Sequence, residues 1–131
     1  MSNKFIREVI ELHRFFERWL TGAIEQTQPV FARLKGVLAE DFRMIEPSGK
    51  DLNRAELLDA FWHAHGVQAE SFTIEVRRPQ VLLIDKATAM VTYQEWQTGA
   101  DTTARISSAL ISETDQGFQW QHVHETWLAS E

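Results

Sequence analysis

The stretch Phe118-Gln119-Trp120-Gln121-His122-Val123-His124-Glu125-Thr126-Trp127-Leu128 lies near the end of the chain. Read with the period of two of a β-strand, Phe118, Trp120, His122, His124, Thr126 and Leu128 share one face. Gln119, Gln121, Val123, Glu125 and Trp127 share the other. The first face is large and mostly apolar, yet it carries a pair of imidazoles. An apolar surface with titratable groups set into it suits the wall of a pocket better than the middle of a dry core.

Working back from this strand, the same alternation recurs. Thr102–Ser112 and Ala87–Gln97 read as long strands, and Ser71–Arg77 continues past Pro79 into Val81–Ile84. Asp85-Lys86, Thr98-Gly99-Ala100-Asp101 and Thr114-Asp115-Gln116-Gly117 are the turns between them. Before Gly66 the period is helical. Phe5, Val9, Leu12, His13, Phe16, Trp19, Leu20, Ala23 and Ile24 form one broad arc of a helix running to about Gln26, with Arg7, Glu11, Arg14, Arg18 and Glu25 opposite. Pro29 suits the first turn of a second helix, Val30 to Ala39. Phe42, Met44 and Glu46 alternate with Arg43 and Ile45 in a short strand that Pro47-Ser48-Gly49 stops. Asn53 with Glu56 opens a third helix in the manner of a capping box, and Gly66 follows its end near His65. Helices first and a four-stranded antiparallel meander second predict an α+β domain. A twisted sheet curled around the long first helix makes a cone with room for a ligand.

Composition bounds the alternatives. The 131 residues predict one domain, 1–131, large enough to bury a sizeable core. The hydrophobic share of 44% argues against disorder. There is no cysteine, so disulfides, thiolate nucleophiles and cysteine-based metal sites are excluded. The net charge of −6, with no basic stripe beyond Arg77-Arg78, disfavours nucleic acid and anionic membrane surfaces. No apolar run is long enough to span a bilayer, and Met1-Ser2-Asn3-Lys4 leads directly into an amphipathic helix, so a cytoplasmic protein is expected.

The helix order, Asp41-Phe42-Arg43-Met44-Ile45-Glu46-Pro47-Ser48-Gly49, the Asp85-Lys86-Ala87 turn and the Gly117–Thr126 ending carry a family resemblance. Over about Phe5 to Leu128 the chain resembles the nuclear transport factor 2-like superfamily. It is most similar to the SnoaL-like and ketosteroid-isomerase-like single domains and to related domains of unknown function. It is also similar to the oligomerising association domain of calmodulin-dependent kinases. The resemblance implies a cone-shaped α+β fold and a homodimer. It also places Glu46 where ketosteroid isomerases carry a general base, directly before a Pro-x-Gly. The isomerase oxyanion hole has no counterpart here. The first helix lacks Tyr, the chain's only Tyr being Tyr93, and the strand that would supply an acid offers Arg105, Ser107 and Ser108.

The candidate chemistry follows from these positions. Glu46 is a candidate general base, raised by burial, or else an exposed strand-end carboxylate. His122 and His124 are candidates for a proton shuttle and its orienter, or else structural histidines. Phe16, Trp19, Leu20, Phe42, Met44, Arg105 and Trp120 are the expected lining for a small apolar or weakly polar molecule. His13 reads as a satisfied core histidine, and His63 and His65 as helix-end residues. A His-x-His metal site would need Glu46 or His63 as a third ligand, so no metal is expected, and no cofactor is implied. The expected function is a SnoaL-like pocket protein, a cofactor-free lyase, isomerase or hydratase using Glu46 with His122 or His124. The alternative is a non-catalytic ligand-binding or homo-oligomerisation domain with structural histidines. The outward sheet face, expected to show Val123 and Trp127 beside Ile106 and Leu110, predicts a homodimer.

Overall fold

The computed structural model describes residues 3–128. Helix α1 (Asn3–Thr21) buries the apolar arc read from the sequence, with Phe5, Val9, Leu12 and Trp19 almost fully enclosed. It stops at Thr21 rather than near Gln26, because Gly22 takes a left-handed φ of 74° that ends a helix at little cost. Helix α2 (Gln28–Lys35) is capped by the Thr27 side chain, which accepts from the Val30 N–H. It ends before the expected Ala39. Leu38 and Ala39 belong instead to β1 (Leu38–Ile45), where the Val37 carbonyl is already claimed by the Trp120 N–H at 2.6 Å.

Strand β2 (Asp51–Asn53) was not legible in the sequence, because three residues carry no periodicity. It pairs antiparallel with β1 across the turn at Pro47-Ser48-Gly49, with Arg43 and Asp51 salt-bridged at its outer side. Asn53 then caps α3 (Arg54–His63) with both halves of the capping box formed. Strand β3 (Thr73–Leu83) runs through Pro79 by means of a register slip between Arg77 and Gln80, where Arg78 sits at φ 53°. Strands β4 (Thr88–Thr98), β5 (Thr102–Thr114) and β6 (Gly117–Trp127) complete the meander.

The sheet order is β2-β1-β6-β5-β4-β3, with β1 parallel to β6 and every other pair antiparallel. Its inner face carries Ala89, Val91, Ala109 and Ile111 against the buried side of α1. This is the expected α+β cone, a curved, unclosed sheet around the first helix.

The final strand departs from simple alternation. Ile111 pairs with Trp120, but Leu110 pairs with His122, so Gln121 is an extra residue in β6. A bulge of this kind shifts the phase of the strand by one residue. Phe118 and Trp120 point inward as the sequence predicts. Beyond the bulge, Val123 and Glu125 point inward, and His122, His124 and Thr126 turn to the outer face. The expected placement of both histidines in the pocket wall is therefore corrected, as are those of Val123 and Trp127 on the outer face. Trp127 shares the side of its partner Arg105, whose guanidinium lies 4.9 Å from the indole, and it is 51% exposed at the strand end.

Candidate functional site

Between α1, α3 and the inner sheet face lies a cavity of about 360 Å³. That falls within the roughly 300–1,000 Å³ typical of small-molecule sites. Phe16, Leu20, Phe42, Met44, Arg105 and Trp120 line it, as expected from the sequence, and Glu46 reaches its half-buried edge. Trp19 does not. It is packed into the junction of the three helices, 4.9 Å from the Phe31 ring and 5.7 Å from that of Trp62, and donates to the Phe61 carbonyl. His122 and His124 lie on the other side of the sheet, their rings 6.4 Å apart. His63 is exposed beside Asp59, and His65 is held by the Ile24 carbonyl at 2.6 Å.

One wall of the cavity is apolar and aromatic. Phe16 and Phe61 meet at 4.7 Å between ring centres, and Phe16 also meets the edge of His13 at 5.0 Å. The other wall is a polar cluster supplied by α1 and by the inner face of β4, β5 and β6. Tyr93, Ser107 and Glu125 lie side by side across the three strands, and Glu95, Arg105 and Trp127 form the neighbouring row. Glu95 is only 6% exposed, and its carboxylate faces His13 Nε2 at 3.1 Å and accepts from the Gln97 amide at 2.6 Å. Glu125 accepts from Arg105 at 3.3 Å and from the Ser107 hydroxyl at 3.2 Å. Arg105 Nε is the one buried side-chain polar atom without a partner among the described residues.

The electrostatics separate the two carboxyls. Burial pushes Glu95 up, but His13, Gln97 and Arg105 outweigh it and hold its pKa at about 2. Burial likewise opposes charge on His13, yet Glu95, the Val9 carbonyl and Glu125 together raise its pKa. With Nδ1 donating to the Val9 carbonyl at 2.8 Å and Nε2 facing an ionised Glu95, His13 is an imidazolium. Glu125 is raised by burial and by the nearby Glu95 charge, against the pull of Arg105 and Ser107. Tyr93 is raised well above its ordinary value by burial and by both carboxylates, which keeps it a neutral phenol.

Sequence reasoning missed Tyr93, Glu95, Gln97 and Glu125 as cavity residues and treated His13 as core alone. For Glu95 a signal existed. Ala89, Val91, Tyr93 and Glu95 alternate on one face of β4, and a carboxylate ending an apolar series marks a buried charge in need of a partner. For Glu125 none existed, because the bulge at Gln121 hides its parity.

The sheet curled around α1 and the cavity beneath it define a domain of the nuclear transport factor 2-like class. Solved structures agree. An NTF-2 like protein of unknown function from Pseudomonas aeruginosa superposes with a TM-score of 0.87 at 27% identity, over 95% of this chain and 98% of that one. The association domain of C. elegans CaMKII reaches a TM-score of 0.70 at 14% identity, over 95% of this chain and 97% of that one, a likeness of fold. Within this class, residues 5–129 match the family Sucrose-6-phosphate phosphohydrolase C-terminal, and the chain belongs to that family. Two relatives from Nicotiana tabacum are sucrose-phosphatase 2, 30% identical over 127 residues, and sucrose-phosphatase 1, 28% identical over 128. Each match takes in 92% of this chain but 30% of the relative, so the chain spans less than a third of their length.

This family match corrects the function expected from the sequence. A SnoaL-like lyase, isomerase or hydratase built on Glu46 with His122 or His124 gives way to a domain of the Sucrose-6-phosphate phosphohydrolase C-terminal family. Among the described residues, no helix is long and apolar enough to cross a membrane.

Proposed function

We propose that this chain is a non-hydrolysing partner domain of sucrose 6-phosphate hydrolysis, acting beside a phosphohydrolase centre that other sequence supplies. The observation that carries this reading is the match over residues 5–129 to the C-terminal family, in a chain that spans 30% of its relatives. The buried carboxyls support it. A phosphoryl acceptor must be free to attack. Here Glu8 is held by Arg33 at 2.9 Å and by the Trp120 indole at 3.0 Å, Glu95 by His13 and Gln97, and Glu125 by Arg105 and Ser107. Each is a structural or binding group as it stands.

The test replaces the matching part of tobacco sucrose-phosphatase 2 with this chain and measures phosphate release from sucrose 6-phosphate. The chain alone is expected to release none. The chimera is expected to recover activity that is lost or weakened when that part is deleted. Hydrolysis by the isolated chain, or a chimera no better than the deletion, overturns the reading.

A homodimer through the outer sheet face belongs to the same proposal. With the bulge taken into account, that face carries Ile106 and Leu110 of β5 beside His122 and His124 of β6, with Met90 and Trp96 on β4. Ile106 is 41% exposed there, and a mixed apolar and polar sheet face of this kind suits two-fold pairing.

A further inference from the structure

The cavity joins an aromatic wall to a wall of paired charges. A sugar presents the same division, with C–H faces that pack on rings and hydroxyls that need acceptors and donors side by side. Glu95 on β4 and Glu125 on β6 are acceptors on one surface, with Arg105 and Ser107 of β5 between them and Gln97 and Tyr93 as further donors on β4. Arg105 Nε is buried without a partner, a donor held out of water by the fold. Such a donor costs stability unless something accepts from it.

The charge balance decides what kind of sugar fits. The carboxyls at the cavity are Glu46, Glu95 and Glu125, and the cations are His13 and Arg105, each already facing a carboxylate. His13 is engaged by Glu95, and beyond its contact with Glu125 Arg105 keeps Nε as its buried free donor, set against three carboxyls. A dianion placed here would meet more negative than positive charge in a site of low dielectric.

We infer that the cavity binds a neutral mono- or disaccharide and rejects its phosphorylated form, so that it takes the product side of a sugar-phosphate hydrolysis rather than the substrate. This rests on the proposed partnership with such a hydrolysis, but the binding is a property of the isolated chain and is tested without any phosphatase. Calorimetry or NMR titration of the purified chain with sucrose, glucose, fructose and sucrose 6-phosphate is the experiment. At least one neutral sugar is expected to bind saturably, and sucrose 6-phosphate at least roughly tenfold more weakly, about 1.4 kcal/mol. Glu125→Gln keeps the shape and is expected to weaken the neutral sugar by a similar factor. Phe61→Ala tests the aromatic wall should the Glu125 variant fail to fold, as judged by circular dichroism. Equal or tighter binding of sucrose 6-phosphate overturns the inference, and so does saturation by none of the neutral sugars. An unchanged affinity in a folded Glu125→Gln or Phe61→Ala variant likewise overturns the assignment to this cavity. None of these outcomes bears on whether the chimera hydrolyses, so the two readings fail separately.

Discussion

His13 on α1 and Glu95 on β4 are 82 residues apart in sequence and meet at 3.1 Å inside the cone. Their contact ties the central helix to the sheet at the level of the cavity. It is a buried ion pair with further hydrogen bonds on both partners, from the Gln97 amide to Glu95 and from His13 to the Val9 carbonyl. Pairs of this kind are costly to break on one side only, because the remaining charge is left buried.

Stability is predicted to peak in mildly acidic solution. His13 has a pKa raised from 6.5, so its contribution is full below 6.5 and fades as the pH rises through its folded value. Glu95 is lowered from 4.5 to about 2, so its contribution is full above 4.5 and fades as the pH falls toward 2. Glu125, raised from 4.5, tilts the profile further toward acid. Thermal melts should therefore be highest between the unperturbed values of 4.5 and 6.5. The double variant His13→Leu/Glu95→Leu should flatten this profile. It should also cost less than Glu95→Leu alone, for which about 3–5 kcal/mol is expected. A maximum on the alkaline side would contradict the pair as described.

Gln121 is predicted to be removable, while a residue added further along β6 is not. Deleting it leaves Trp120 and His122 as neighbours opposite Ile111 and Leu110, so Trp120, Val123 and Glu125 keep the inner face in plain alternation. The deletion should change urea unfolding by no more than about 2 kcal/mol, whereas one alanine inserted between Val123 and His124 turns Glu125 to the outer face and should cost at least about 4 kcal/mol. Similar stabilities for the two variants would show that β6 does not depend on its phase.

The outer-face homodimer is tested at Ile106. Ile106→Glu places a charge on the proposed contact while Arg105 and Ser107 keep their inward positions. Light scattering should give a dimer mass for the wild type and a monomer for the variant, with sugar binding retained. A wild-type monomer at tens of micromolar, or a variant that still pairs, would remove this interface.

Local periodicity carries the three helices, the short strand at Phe42–Glu46 and the four-stranded meander, and the apolar arc of α1 marks what the sheet wraps. Much of the cavity is legible in the same way, since Phe16, Phe42, Met44 and Trp120 follow local periods that the fold preserves. Strand β2 and the parallel seat of β1 beside β6 come from strand pairing alone. The polar wall is set by long-range contacts. Periodicity assumes one residue per step, and one extra residue at Gln121 exchanges His122 and His124 for Val123 and Glu125. The meeting of His13 with Glu95, and of Arg105 with Glu125, depends on sheet register and on the seating of the helix. Those are long-range choices in which packing of the whole core outweighs any local preference.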